Sequence, residues 1–333
     1  MARYVAMGHR LERLGVLTGT RRREGRDRRP GGGPQSCLVH SPQPTAHSRL
    51  DELSVNSLSD TASVQRHYTR VDLADRIFEA LRQFGADLDT LTLDDLGPID
   101  EFHIRGRAAT IELAELGALS PGTQVLDVGS GIGGPSRVLA ARYGCRVTGL
   151  DLVGEYCRVA TMLALRACPH LWVRYSQGSA LDLPFVDGTF DVVWTQHASM
   201  NIEDKPRFFG EMFRVVRPGG QLLLDDIVAG PGGPVHFPVP WARDPAISFL
   251  ITPEQLQDGL RAVGFDVATW QDLTEPSREW FRKMRARPKD PAAPPSAPSI
   301  LLGSGWETMT GNMGTNFEEY RCGLVRAVLA RPA

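Results

Sequence analysis

No uninterrupted apolar run in the 333-residue chain approaches the roughly 18 to 20 residues that a membrane-spanning helix needs, so a helical membrane span is excluded. The five cysteines (Cys37, Cys145, Cys157, Cys168 and Cys322) are odd in number, scattered and never spaced as C-x-x-C. That pattern fits neither a disulfide framework nor a zinc ribbon. It points to a reducing compartment, and the expected location is cytoplasmic. H-E-x-x-H is absent, and the acidic pair Asp225-Asp226 sits where adjacent strand residues would face opposite ways. No metal is expected, and no repeat of 20 to 50 residues is visible.

At 42% hydrophobic and 23% charged, the composition is that of a globular chain. The formal net charge of −2 hides an asymmetry. Ten of the 37 basic residues but only three of the 39 acidic ones fall within residues 1–50, which leaves −9 on the remainder. A body that acidic is a poor partner for a phosphate backbone, so nucleic acid is not expected as a ligand. Residues 1–56, with RRREGRDRRPGGG followed by Pro, Ser, His and Gln, have no apolar periodicity and read as a disordered extension. A transit-type leader, a nucleic-acid-binding arm and translated upstream sequence all remain open for it. Residues 1–20 lack the continuous apolar core of a secretory signal.

From residue 57 the pattern turns helical. Leu73, Ile77, Leu81 and Phe84 recur at spacings of three and four, and Thr110, Leu113, Leu116 and Leu119 suggest a second helix after a turn at Gly106. Residues 57–120 are therefore expected to form an N-terminal helical cap. Between Gln124 and Val228 the segments QVLDV, RVTGL, LWVRYSQ, FDVVWTQ and QLLLDDIV alternate with amphipathic stretches, the pattern of βαβ units around a parallel sheet. Gly144, Pro169 and Pro218-Gly219-Gly220 fall between these elements. Downstream, a helix is expected from Pro253 to Val263 and a strand from Phe265 to Leu273. A Pro-rich exposed insertion follows over Arg287–Ser299, then a helix near Trp306–Tyr320 and a closing strand over Leu324–Ala330.

The strongest chemical signal is the run Val125-Leu126-Asp127-Val128-Gly129-Ser130-Gly131-Ile132-Gly133-Gly134, a buried strand passing through a glycine-rich turn into a helix. Such a turn lets backbone approach a ligand while the helix presents free N–H groups. Asp151 ends the second strand about 20 residues on, where a carboxylate can accept from two ribose hydroxyls. A dinucleotide-dependent oxidoreductase shares those features, but Ser136 stands where its third glycine would be. Asp127 beside the turn suits an ammonium and repels a pyrophosphate.

Asp127 to Gly133, Gly149-Leu150-Asp151, Ala180-Leu181-Asp182-Leu183-Pro184-Phe185, Phe190-Asp191 and Arg217-Pro218-Gly219-Gly220 together resemble, in order, the motif set of class I S-adenosylmethionine-dependent methyltransferases. The helical cap and the segment TQHASMNI resemble the small-molecule branch that includes dimethylglycine, phosphoethanolamine, tocopherol and sterol methyltransferases. The resemblance implies an α/β fold: a Rossmann-like class I methyltransferase sheet, mostly parallel, seven-stranded with an antiparallel last strand, spanning residues 121–333. It implies S-adenosyl-L-methionine as cofactor, with Asp127, Gly129 and Gly131 at the methionine end, Asp151 at the ribose and Leu152 against the adenine. Ser179, where the family usually has Asp, and Ala180 would meet the adenine edge, and Gln196 would line the cofactor. Catalytic roles fall on His197, Asn201 and Tyr68, the tyrosine resembling one that closes over the active site in this branch.

Two of these positions depart from the family. The resembling enzymes commonly carry an acidic residue at the place of His197 and a histidine at the place of Asn201. His197 can still take a proton, whereas Asn201 cannot and is assigned to substrate orientation. For His103 and Arg105 a contact to the cofactor carboxylate and a solvated loop stay open. For His236, Trp241 and Asp226 an acceptor-pocket role and plain packing stay open. The expected activity is methyl transfer to a small molecule, most readily at an amine nitrogen or hydroxyl oxygen, by a monomer or homodimer. The alternatives are carbon or sulfur methylation of a specialised metabolite, or a non-catalytic S-adenosylmethionine-binding module.

Overall fold

The computed structural model describes residues 61–288 and 295–333. The Arg-rich extension and the middle of the Pro-rich segment lie outside the described residues. Seven strands form one sheet: β1 Gln124–Val128, β2 Arg146–Asp151, β3 Val173–Gln177, β4 Phe190–Gln196, β5 Val216–Ala229, β6 Asp266–Asp272 and β7 Cys322–Ala330. Their order is β3-β2-β1-β4-β5-β7-β6. Strands β1 to β5 pair in parallel, and β7 runs antiparallel to both β5 and β6.

The near-continuous apolar runs of β1, β4 and β5 follow from burial on both faces. In β4, Val193 packs with Phe208, Phe209 and Met212 on one side, while Val192 and Trp194 pack with Leu113, Leu139 and Val328 on the other. Each such side chain, taken fully from water, contributes about 1.5 to 3 kcal/mol. Pro218-Gly219-Gly220, expected between elements, is instead taken into an extended β5. The main chain there is held by Gly219 N donating to Arg331 O and Arg331 N donating to Gly220 O, both at 2.9 Å.

The cap contains a helical segment at 61–68 and the helices Leu73–Gln83, Leu93–Asp100 and Arg107–Leu116. The stripe of Leu73, Ile77 and Leu81 is buried as its spacing requires. Its partner comes from the far end of the chain. Ala297–Ser299, expected within the exposed insertion, opens the helix Ala297–Leu302, whose Ile300 and Leu301 pack into the same cluster. Arg76 and Arg70 donate to the carbonyls of Ser299 (2.7 Å) and Leu302 (2.9 Å), placing cations on the C-terminal carbonyls of that helix.

The cap meets the helix that follows the glycine-rich turn through Asp100 and Glu101. Gly134 opens the helix Gly134–Tyr143, and a Cβ there would lie 2.2 Å from the Asp100 carbonyl oxygen. Three residues on, the fully buried Arg137 pairs with the Asp100 carboxylate and reaches Ala160 O at 3.3 Å. Strand order reverses between β1 and β4, and the crevice at the carboxyl ends of those strands is where ligands enter open α/β sheets.

Candidate active site

A cavity of about 980 Å³ opens at that reversal, roofed by the cap. Its walls include all eleven residues singled out from the sequence: Asp127, Gly129, Gly131, Asp151, Leu152, Ser179, Ala180, Gln196, His197, Asn201 and Tyr68.

The turn after β1 is shaped by left-handed backbone. Gly129 has φ +79°, and a Cβ there would stand 2.9 Å from that of Ala198; Gly133 has φ +86°, and a Cβ would stand 2.2 Å from the Tyr175 hydroxyl. Gly129 N and Ser130 N donate to Leu150 O at 2.8 and 3.1 Å, tying the turn to β2. The Asp151 carboxylate at the end of β2 accepts from Gly131 N and Val153 N, both at 2.8 Å. Asp151 therefore holds the turn while each of its oxygens keeps a lone pair for the cavity. Burial raises its pKa against those two bonds. Asp127 is 2% exposed and accepts from the Ser136 hydroxyl at 2.5 Å. Burial, opposed by that hydroxyl and reinforced by Asp151, pushes its carboxyl up to about 7.

Gln196 ends β4. Its Oε1 accepts from Trp194 Nε1 at 3.1 Å, and because indole is a donor only, the amide orientation is fixed. The buried Nε2 has no partner among the described residues. His197 follows with φ +50°, a left-handed conformation that costs a non-glycine residue roughly 1 to 2 kcal/mol. Its backbone N donates to Asp225 O at 2.9 Å. Its buried Nε2 lies 3.7 Å from Asp225 Oδ1, with neither atom hydrogen-bonded.

Tyr68 and Asn201 form a unit. The tyrosine hydroxyl donates to Asn201 Oδ1 at 2.9 Å, and Asn201 Nδ2 donates to the carbonyls of Trp241 (2.8 Å) and Ile247 (2.9 Å). The Asn201 amide is thus committed to protein partners. Burial first, then Tyr156, Asp151 and Asp226, hold the Tyr68 pKa well above its ordinary value. The hydroxyl therefore stays protonated near neutral pH. The turn carrying Asn201 is clamped by Lys205, whose ammonium donates to the carbonyls of Ser199 (2.9 Å), Ile202 and Phe249 (2.7 Å).

Of the residues left open, His103 lines the cavity. Its Nε2 pairs with Glu101 Oε2 at 2.9 Å, and its ring centroid is 5.8 Å from that of His197. Burial alone would lower its pKa, but Glu101 reverses this and raises it. Arg105 instead grips Glu112 and is absent from the cavity wall. His236 pairs with Glu319 at 2.9 Å on the surface, and Trp241 is packed in the core with its indole N–H on Ser248 Oγ. Asp226 accepts from Ser199 N at 2.9 Å beneath the turn. None of these three lines the cavity. Phe102, Tyr156 and Leu301 do, and sequence reasoning missed them. Tyr156 falls in one of the amphipathic stretches between strands, a pattern that does not say which face meets a ligand, and Leu301 belongs to a helix distant in sequence.

Fold and cavity together define a Rossmann-like enzyme architecture with a nucleoside-binding crevice. A family model described as a methyltransferase domain matches residues 126–224. The 2-methyl-6-phytyl-1,4-hydroquinone methyltransferase of Synechocystis sp. is 45% identical over 111 residues, 33% of this chain and 34% of that one. The sarcosine/dimethylglycine N-methyltransferase of Halorhodospira halochloris is 31% identical over 222 residues, 66% of this chain and 78% of that one. Among solved structures, phosphoethanolamine N-methyltransferase 2 of Haemonchus contortus with S-adenosyl-L-methionine has a similar fold, with a TM-score of 0.60 at 19% identity over 81% of this chain and 60% of that one. The chain belongs to the class I S-adenosylmethionine-dependent methyltransferases, and S-adenosylmethionine is the cofactor of that family.

The donor set fits that cofactor. A Cβ on Gly131 would meet nothing within 4 Å, so the glycine leaves open space on a lining position where a ligand can lie against main chain. The orphaned Gln196 Nε2 is a buried donor in need of an acceptor such as a carboxylate. Ser179 Oγ already accepts from Leu181 N at 3.1 Å, which leaves one lone pair and its proton for an adenine edge.

Proposed function

We propose that this chain transfers a methyl group from S-adenosylmethionine to a small-molecule acceptor carrying an amine nitrogen or a hydroxyl oxygen, with His197 as the proton acceptor. When bound, the cofactor supplies an electrophilic sulfonium methyl carbon. Asp127 and Gln196 would hold the charged methionine end, Asp151 the ribose, and Leu152, Ser179 and Ala180 the adenine. The observation that carries the reading is the end of β4. There an imidazole faces the same cavity as the glycine-rich turn; of the other polar groups lining that end, Asn201 and Tyr68 are bonded to each other and cannot accept a proton, and His103 is paired with Glu101.

The chain's tasks are then to align the acceptor, exclude water and remove one proton. Tyr68 lies on the cap, and its hydroxyl, pinned by Asn201, presents lone pairs to an ammonium or hydroxyl hydrogen. Alignment of this kind supplies up to about 7 to 11 kcal/mol of barrier reduction in ideal cases. A proton on the acceptor nitrogen or oxygen passes to His197. The same reading places the chain in the cytoplasm, acting as a monomer or homodimer on a diffusible substrate. The free thiols of Cys145, Cys157, Cys168 and Cys322 support a reducing compartment, and no described helix is long and apolar enough to cross a membrane.

A screen of amine and hydroxyl acceptors that follows S-adenosylhomocysteine release tests the proposal. With the acceptor found, His197→Ala should lower kcat by about 100-fold or more and leave cofactor affinity within a factor of two, as expected for a group used only in the transition state. Undiminished turnover across the acid side of the pH profile would remove His197 from the chemistry.

A further inference from the structure

Behind His197 stands a row of charges that no cavity contact accounts for. Asp225 is 1% exposed and lies on β5, next to the end of β4, with Gln196 and Asp225 in register. Its Oδ2 accepts twice from Arg326 of β7, from Nε at 2.9 Å and from Nη2 at 2.8 Å. Arg326 is itself 2% exposed, and its Nη1 donates to Glu112 at 2.8 Å. Glu112 is gripped in turn by both Nη groups of Arg105 from the cap loop. Every strong acceptor site in this row is used except one. Asp225 Oδ1 is buried, has no hydrogen-bond partner among the described residues, and faces His197 Nε2, which likewise has none there, at 3.7 Å.

A buried carboxylate oxygen and a buried imidazole nitrogen left unpaired face to face are costly as they stand. Ring movement of about half an ångström or a little more brings them to hydrogen-bond distance. The main chain directs His197 there, because the left-handed turn at φ +50° and the bond from its N to Asp225 O place its side chain over the same residue.

We propose that Asp225, oriented by Arg326, is the positioning residue of the proton acceptor: it takes the Nε2 hydrogen of His197, fixes the tautomer whose Nδ1 lone pair serves the cavity, and stabilises the imidazolium once the acceptor's proton has arrived. This rests on the reading of His197 as the base. The proton balance is simple. The acceptor N–H or O–H loses its proton to Nδ1, the Nε2 hydrogen stays shared with Asp225, and the carboxylate remains ionised. Asp225 is suited to that part, since His197 and Arg326 outweigh its burial and hold its carboxyl below the ordinary value. Other charges near the ring are Asp226 beneath the turn and the cap-loop pair of His103 and Glu101.

The test is the titration of the His197 side chain by nitrogen-edited NMR, its signal assigned by its loss in His197→Ala. Asp225→Asn should lower the His197 midpoint by about one pH unit, a tenfold loss of proton affinity, and should abolish the preference for the Nε2–H tautomer. Arg326→Gln should move the midpoint upward, the opposite sign. A merely structural role for the pair would move neither. Since Asp225→Asn leaves Arg326 buried without its partner charge and risks unfolding, Asp225→Asn with Arg326→Gln removes both charges and should still lose the tautomer preference. An unchanged midpoint and tautomer in a folded Asp225 variant overturn the proposal whatever the activity does. Full turnover of His197→Ala, with the NMR coupling intact, would instead overturn only the base assignment.

Discussion

Cofactor affinity should depend on pH through Asp127. Its carboxyl is pushed up to about 7 chiefly by burial, so much of it is neutral just below neutral pH. If it receives the α-ammonium of S-adenosylmethionine, it must ionise to do so, and binding is linked to the loss of one proton. Each pH unit below about 7 then costs up to 1.36 kcal/mol, a tenfold rise in Kd, giving roughly tenfold weaker binding at pH 6 and a hundredfold at pH 5. The sign for folding is the reverse of the usual carboxylate case. With the folded value above the unfolded one of about 3.9, the stability that protonated Asp127 contributes is present in acid and is lost as pH rises through that window to about 7. Calorimetry between pH 5 and 7.5 in two buffers of different ionisation enthalpy should read about one proton released per cofactor bound at the acid end. In Asp127→Asn the pH slope should vanish and binding at pH 7.5 should weaken. A flat profile in the unaltered protein, or a slope that survives the substitution, would refute the assignment.

Asp151→Ala should weaken cofactor binding by tenfold or more, since a charge-assisted hydrogen bond is worth about 1.5 to 3 kcal/mol. It should also lower Tm by freeing Gly131 N and Val153 N; unchanged affinity by calorimetry would remove the ribose assignment. Tyr68→Phe should raise the acceptor KM severalfold while leaving cofactor Kd in place, and a collapse of kcat instead would mean that the hydroxyl takes part in proton transfer. Gly134→Ala should lower Tm and cofactor affinity together by driving a methyl into the Asp100 carbonyl. Gly210→Ala, where a Cβ meets nothing within 4 Å in the middle of the helix Lys205–Val215, should stabilise by about 0.5 to 1 kcal/mol. An unchanged or raised Tm in Gly134→Ala would contradict the packing described for the cap, and a lowered Tm in Gly210→Ala would contradict the open space at that position.

What could be read from the sequence was local. The glycine-rich turn, Asp127 and Asp151 are fixed by short spacings within one βαβ unit, and the cap stripe by a period of 3.6. The cavity's other half comes from distant pairings that periodicity cannot carry. Arg137 holds Asp100 from 37 residues away, Arg326 holds Asp225 from 101, and Tyr68 meets Asn201 across 133. The segment TQHASMNI drew attention because two positions depart from the family pattern, and the structure gives those departures a common logic. With asparagine at 201, Tyr68 has an acceptor for its hydrogen that can never pass that hydrogen on, so the pair can orient but not relay. On the proposed reading, proton removal falls to the neighbouring departure, the imidazole at 197, with the Asp225 carboxylate behind it.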